Sequence, residues 1–182
     1  MSQSFDDFDL HPALNRALAE MGFTRPTTIQ QMVLEPALDG RDILASAPTG
    51  TGKTAAFVLP ALQHLLDFPR RKPGPCRMLI LTPTRELAAQ VASNINDFAK
   101  YLDISVLTLV GGGKQDVQAR KLKAGAHIIV ATPGRLLEHL TACNLSLSGV
   151  ETLVLDEADR ILDMGFSADV QQILQAVNKT RQ

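Results

Sequence analysis

The sequence predicts an α/β fold, a mostly parallel sheet with helices on both faces. Two observations predict it: short runs of Ile, Val and Leu alternate with longer amphipathic runs, and Pro, Gly and Thr recur where the short runs end. The short runs are Asp42-Ile43-Leu44-Ala45-Ser46, Met78-Leu79-Ile80-Leu81, Ile104 to Leu109, His127 to Ala131 and Thr152-Leu153-Val154-Leu155. They read as strands buried on both faces, which carry near-continuous apolar runs rather than alternation. Between them, Lys53 to Leu66, Thr84 to Tyr101, Lys114 to Ala124 and Pro133 to Thr141 have the composition and length of helices, and Ala168 to Val177 adds a last one. Residues 1–40 form a helical flank, Asp9 to Met21 and Thr27 to Leu38, with Pro26-Thr27-Thr28 as turn and N-cap. Residues 41–182 carry the alternating pattern, and the whole is expected to be one structural domain.

A chain of 182 residues can bury a full core without disulfides or metals. The 45% apolar and 20% charged composition is that of a globular domain, and no stretch approaches a membrane span. The acidic start, Met1-Ser2-Gln3-Ser4-Phe5-Asp6-Asp7, lacks the layout of a signal peptide. Cys76 and Cys143 form no metal or redox pair, so a reduced cytoplasmic setting is expected. The net charge of −1 argues neither for nor against a nucleic-acid partner. Arg70-Arg71-Lys72 and Arg120-Lys121-x-Lys123 fit solvated surface runs as well as phosphate contacts. With 4% aromatics and no Trp, a base-stacking platform is disfavoured, and any nucleic acid would be held by its backbone.

In a parallel sheet, ligands lie beyond the carboxyl ends of the strands. Those ends carry Ser46-Ala47-Pro48, Thr82-Pro83-Thr84, Val110-Gly111-Gly112, Thr132-Pro133-Gly134 and Asp156-Glu157. The first continues as Ala47-Pro48-Thr49-Gly50-Thr51-Gly52-Lys53-Thr54 into a helix. Glycines let backbone N–H groups turn towards an oxyanion, and the helix N-terminus adds positive partial charge. Lys53 supplies a charge for the outer phosphates of a nucleoside triphosphate, and the Thr54 hydroxyl is a ligand for Mg²⁺. The general pattern has Gly where this chain has Ala47, a small departure. Downstream, Asp156 suits Mg²⁺, partly through water, and Glu157 suits orienting or deprotonating an attacking water.

Asp156-Glu157-Ala158-Asp159 resembles the signature of the DEAD-box RNA helicases, and the likeness runs from Phe5 to Phe166 in the family's order. Phe23-Thr24-Arg25-Pro26-Thr27-Thr28-Ile29-Gln30 is similar to the Q motif, with Phe5 upstream. Ala47 to Thr54 is similar to motif I, Pro83 to Ala88 to motif Ia, Gly111-Gly112 to the glycine doublet, and Thr132-Pro133-Gly134-Arg135 to motif Ib. The resemblance implies a RecA-like P-loop domain that binds ATP and Mg²⁺. Gln30 would read the adenine edge with Phe23 and Arg25 against the base, and Ser46 to Thr54 would hold the phosphates. It implies that Pro83, Thr84, Arg85, Gly111, Gly112, Thr132, Pro133, Gly134 and Arg135 grip single-stranded RNA by sugar and phosphate. Alternatively, Gln30 is an ordinary helix residue, Phe23 a core aromatic, and Arg85 and Arg135 caps or bridges of their own helices.

Leu62 to Arg70 and Leu38 to Asp42 are similar to one bacterial branch of the family, which implies ribosomal RNA and the assembling large subunit as partners. Nothing here resembles the Ser-Ala-Thr motif or the second RecA-like domain, whose arginines reach the γ-phosphate. The chain is therefore expected to be the N-terminal domain of a longer enzyme, nearly inactive alone. Two rivals stay open: another P-loop enzyme, such as a small-molecule kinase or DNA translocase, and a non-catalytic RNA- or protein-binding module.

Overall fold

Continuous apolar runs become strands where each finds a partner, and the two central ones are paired on both sides. In the computed structural model, which describes residues 4–70 and 74–182, β1 (Met78–Leu81) and β3 (Ile128–Ala131) are buried at every position. The flanking strands β2 (Val106–Leu109) and β4 (Thr152–Leu155) are only partly buried. All pairings are parallel, in the order β2-β3-β1-β4. Arg71, Lys72 and Pro73 of the basic loop, and the first three residues, lie outside the described residues.

Along the chain run α1 (Pro12–Glu20), α2 (Thr28–Leu38), α3 (Lys53–Asp67), α4 (Arg85–Phe98), α5 (Gln115–Ala124), α6 (Pro133–Thr141), α7 (Ala158–Asp163) and α8 (Ser167–Ala176), after a short 3₁₀ turn at Phe5–Phe8. Sheet and helices together bear out the α/β expectation. Among the described residues no helix is long and apolar enough to cross a membrane. The chain divides into two compact units: Met1–Arg70 with Asn94–Asp103 and Gln182, and Arg71–Ser93 with Ile104–Arg181. Residues 41–70 thus group with the flank, and the four-stranded sheet lies in the second unit.

In the second unit, alternate strand residues Leu79, Leu81, Ile129 and Ala131 join Leu136 of α6 and Val170 and Ile173 of α8 in one apolar cluster. The start of the sheet is fastened by an ion pair. Arg77, 4% exposed, donates from Nε to Glu151 Oε1 at 2.8 Å and from Nη2 to Oε2 at 2.6 Å. The Arg77 carbonyl also accepts the N–H groups of Glu151 and Thr152. Side chain and backbone therefore set β4 against β1 in one register, Met78 opposite Thr152 and Leu81 opposite Leu155.

In the first unit α2 packs on α3 through Val33, Ala37 and Ala56. Pro60 lies inside α3 and is buried; the hydrogen bond lost at an interior proline, a cost of about 3 kcal/mol, is borne there by packing. Glu20 at the end of α1 accepts hydrogen bonds from Lys100 Nζ, at 2.8 Å, and from the Tyr101 hydroxyl. Those two hydrogen bonds, then the Lys100 and Arg16 charges, lower its pKa to about 2.

Several bounds differ from the sequence reading: α1 starts at Pro12 and not Asp9, α4 ends at Phe98 and not Tyr101, and two of the apolar runs depart as follows. Asp42 to Ser46 is not a strand: residues 41–48 have no regular structure, and Leu44 is 103% exposed. Apolar content suits a residue to a strand but does not supply a ladder. Here the preceding carbonyl of Arg41 is taken at 2.7 Å by the Gln182 side chain instead of by a neighbouring strand. The strand expected from Ile104 begins at Val106, because His127 Nδ1 accepts the Ser105 N–H at 3.1 Å where a ladder bond would start.

Two outcomes are expected. Arg77→Ala strips a largely buried pair of one partner and destabilises the second unit by about 3 kcal/mol, read as a lower urea midpoint at constant m; an unmoved midpoint would deny the pair its structural weight. Glu20 binds its proton in the folded state only near pH 2, so its stabilising effect is complete above the ordinary carboxylate range and is lost as pH falls towards 2. Tyr101→Phe raises that value in a carbon-detected NMR titration, and an unshifted curve would rule out the tyrosine's part.

Candidate functional site

The loop from Ala47 to Thr54 opens α3, and its glycines are there for backbone reasons. Gly50 and Gly52 have φ of 79° and 88°, the left-handed region open to glycine at little cost. At Gly52 a Cβ would also collide with the Gln30 amide. Lys53 Nζ donates to the Ala47 carbonyl at 2.7 Å, and Thr51 Oγ1 to the Pro48 carbonyl at 2.8 Å, so the loop is folded on its own acceptors.

The Q-motif residues are bonded directly to this loop. Gln30 is fully buried; its Oε1 accepts the Thr27 N–H at 2.8 Å and its Nε2 donates to the Gly52 carbonyl at 3.1 Å. Thr27 Oγ1 donates to the Thr51 carbonyl at 2.8 Å. Thr27 and Gln30 also form the capping box of α2, so one four-residue stretch both starts a helix and holds the loop before α3. Phe23 is half-buried, edge-on to Phe98 at 5.7 Å and 6.3 Å from Phe5, while Arg25 is exposed.

In the second unit the other expected site residues gather at one edge of the sheet, because parallel strands end together. Pro83, Thr84 and Arg85 follow β1, Gly111 and Gly112 follow β2, Thr132 to Arg135 follow β3, and Asp156 and Glu157 follow β4. The Asp156 N–H donates to the Leu81 carbonyl at 2.9 Å, which seats the acidic turn beside Thr82-Pro83. Glu157 is a non-glycine residue in the left-handed region, φ 53°, where it caps α7, and Arg160 Nη1 donates to its Oε2 at 3.0 Å. Thr84 caps α4, its Oγ1 accepting the Leu87 N–H at 3.2 Å. Thr132 precedes α6, with Pro133 in the first turn where a missing N–H costs nothing.

The two arginines differ. Arg85 is exposed beside Gly112, whose φ is 88° and whose Cβ, if present, would lie 2.7 Å from Arg85 Nη1. The Arg135 side chain is 12% exposed and engaged within the chain: Nε donates to the Val110 carbonyl at 3.3 Å, Nη2 to the Gly113 carbonyl, and Nη1 pairs with Glu138. Its guanidinium braces the glycine turn and its own helix.

Sequence reasoning did not single out Thr27 as a contact of the Ala47–Thr54 loop, nor Arg160, Gln118 or His139. The Thr-x-x-Gln spacing of a capping box signals the first. The others depend on side chains that meet only after folding.

The match to known proteins runs along the same residues. Residues 27–182 match the family described as DEAD/DEAH box helicase. The chain is 54% identical over 170 residues to the ATP-dependent RNA helicase SrmB of Escherichia coli (strain K12), covering 93% of this chain and 38% of that protein. It is 50% identical to SrmB of Haemophilus influenzae, again over 93% of this chain and 38% of the relative. With the ATP-dependent RNA helicase DeaD of Escherichia coli (strain K12) it shares 46% identity over 98% of this chain and 28% of that protein. It thus spans well under half the length of these relatives, and within that span the chain belongs to the DEAD/DEAH box helicase family.

Proposed function

We propose that the protein is an ATP-dependent RNA helicase, hydrolysing ATP to open or remodel RNA, with this chain as its N-terminal RecA-like domain and residues 1–40 as the flank carrying the Q motif. The observation that carries this reading is the hydrogen-bonded unit of Thr27, Gln30 and the phosphate loop. A carboxamide has two N–H groups and two lone pairs on its oxygen; after Thr27 and Gly52 are served, one of each remains. That pair matches adenine N7 and N6 and not guanine. Gln30 is fully buried, so the base would reach that edge only after the side chains over it move. Phe23 and Arg25 would lie against the base.

Phosphate oxygens would replace the Ala47 carbonyl as the partner of Lys53, with the loop from Ser46 to Thr54 around them. The Thr54 hydroxyl and the Asp156 carboxylate are hard oxygen donors of the kind Mg²⁺ takes, and when bound the ion would neutralise charge on the transferred phosphoryl group. Glu157 keeps Oε1 clear of its Arg160 contact and would orient or deprotonate the attacking water. The ends of β2, β3 and β1 lie side by side and would hold the RNA backbone through Pro83, Thr84, Arg85, Gly111, Gly112, Thr132, Pro133 and Gly134, with Arg135 bracing the glycine turn. The likeness to ATP-dependent RNA helicases supports RNA as the partner, and the branch resemblance of Leu62 to Arg70 and Leu38 to Asp42 implies ribosomal RNA and the assembling large subunit, in the cytoplasm. A second RecA-like domain of the same protein would complete the active site.

The chain should bind ATP in preference to GTP, and Gln30→Ala should erase that preference, weakening ATP binding by about tenfold or more, the worth of a bidentate base contact. Equal affinity of the unaltered chain for the two nucleotides would refute adenine recognition. In the full-length protein Glu157→Gln should leave ATP affinity in place and lower RNA-stimulated turnover by about 100-fold or more. Turnover that survives the substitution would assign the water to another group.

A further inference from the structure

A line of buried side chains braces the turn after β2 from behind. Gln118, near the start of α5, points its amide inward, and Nε2 donates to the Val110 carbonyl at 3.0 Å. A carbonyl only accepts, so the amide's orientation is set and Oε1 faces His139 Nε2 at 2.9 Å. His139 must then carry its proton on Nε2 and offer Nδ1 to Asn144 Nδ2, 3.2 Å away. Burial first, and then the Arg135 charge, hold the His139 pKa below the ordinary histidine value against the opposing pull of Glu138, in keeping with a neutral ring. Asn144 is fixed in turn by the end of α6. Cys143 takes the left-handed conformation, φ 54°, and the Cys143 and Asn144 N–H groups donate to the Leu140 and His139 carbonyls at 3.0 and 2.9 Å.

The line therefore runs from the end of α6 through His139 and Gln118 to the carbonyl immediately before Gly111. At Gly113 a Cβ would lie 3.2 Å from Gln118 Nε2, so the turn sits close against the amide. His139 has no exposed surface and Gln118 very little. Apolar side chains of similar volume would fill this space without desolvating the His139 imidazole and the Gln118 amide. What the polar line adds is direction: each donor meets one acceptor, and the last acceptor belongs to the turn.

We propose that Gln118 and His139 are positioning residues for RNA, the Asn144–His139–Gln118 relay holding the Gly111–Gly113 turn in the conformation that meets the phosphodiester backbone. This rests on the reading of Gly111 and Gly112 as RNA contacts, which Gly111→Asp tests separately. Its Cβ would enter open space, so that variant adds a negative charge without a clash.

The test measures binding of a labelled single-stranded oligouridylate to this chain by fluorescence anisotropy, with the amide resonances of Gly111, Gly112 and Gly113 followed by NMR. Gln118→Leu should weaken binding by about tenfold and broaden or split those three resonances, because the turn is no longer preorganised. Gln118→Glu keeps an acceptor for His139 and loses the donor to Val110, so it should weaken binding to a similar extent. His139→Phe should behave like them. His139→Gln, which still donates to Gln118, should recover affinity to within about twofold of the unaltered chain, a rescue that filling the core does not give. Affinity unchanged in Gln118→Leu and Gln118→Glu, with Gly111→Asp still defective, would overturn the relay and leave the RNA reading standing. Affinity unchanged in Gly111→Asp would remove the RNA reading and the relay's role with it.

Discussion

The register of β4 on β1 is the constraint on which the second unit depends, and the Arg77–Glu151 pair secures it. A guanidinium and a carboxylate meeting through two hydrogen bonds admit one relative placement, and the Arg77 carbonyl repeats that choice through the backbone of Glu151 and Thr152. Each residue along a strand advances it about 3.3 Å, so a slip of one at this end would move Asp156 by that distance past Leu81 at the other. The acidic turn stands beside Thr82-Pro83 because two charged side chains at the opposite end of the sheet hold the count. Structure and expected chemistry are thus set by residues far apart on the same strands.

In the first unit the same economy operates over a shorter distance. Thr27 and Gln30 satisfy the first turn of α2, and their remaining hydrogen-bonding groups reach the carbonyls of Thr51 and Gly52. A group expected to sense the base and a loop expected to hold the phosphates therefore move as one. Lys53 donates to the Ala47 carbonyl, which ties the two ends of the loop together.

Much of this was legible in the sequence, for reasons that are local. Met78–Leu81 and Thr152–Leu155 are strands at the expected bounds because four apolar residues between turn formers have few other ways to be buried. Pro133 and Thr132 mark the start of α6 because both residue types have defined places at a helix N-terminus. Ile43 and Leu44 look equally strand-like and are exposed, since a ladder needs a partner and composition does not name one. Arg135 was legible as a basic residue at a strand end, yet its partners, Val110 and Gly113, lie more than twenty positions away. The braced glycine turn was illegible for the same reason: Gln118, His139 and Asn144 are unremarkable polar residues until the fold brings them into line.

The left-handed backbone at Glu157 sets the fold against the chemistry proposed for that residue. A side chain in that conformation costs about 1 kcal/mol that glycine would not incur. The fold would gain by giving the position up, and selection for heat resistance alone, applied to a random library, should enrich glycine there. Such an enriched clone would be sturdier and would have no acid to offer a water molecule. On the reading of Glu157 as the acid that orients water, a strained position holds a carboxylate at the expense of about 1 kcal/mol of fold stability, and the Arg160 hydrogen bond offsets part of that.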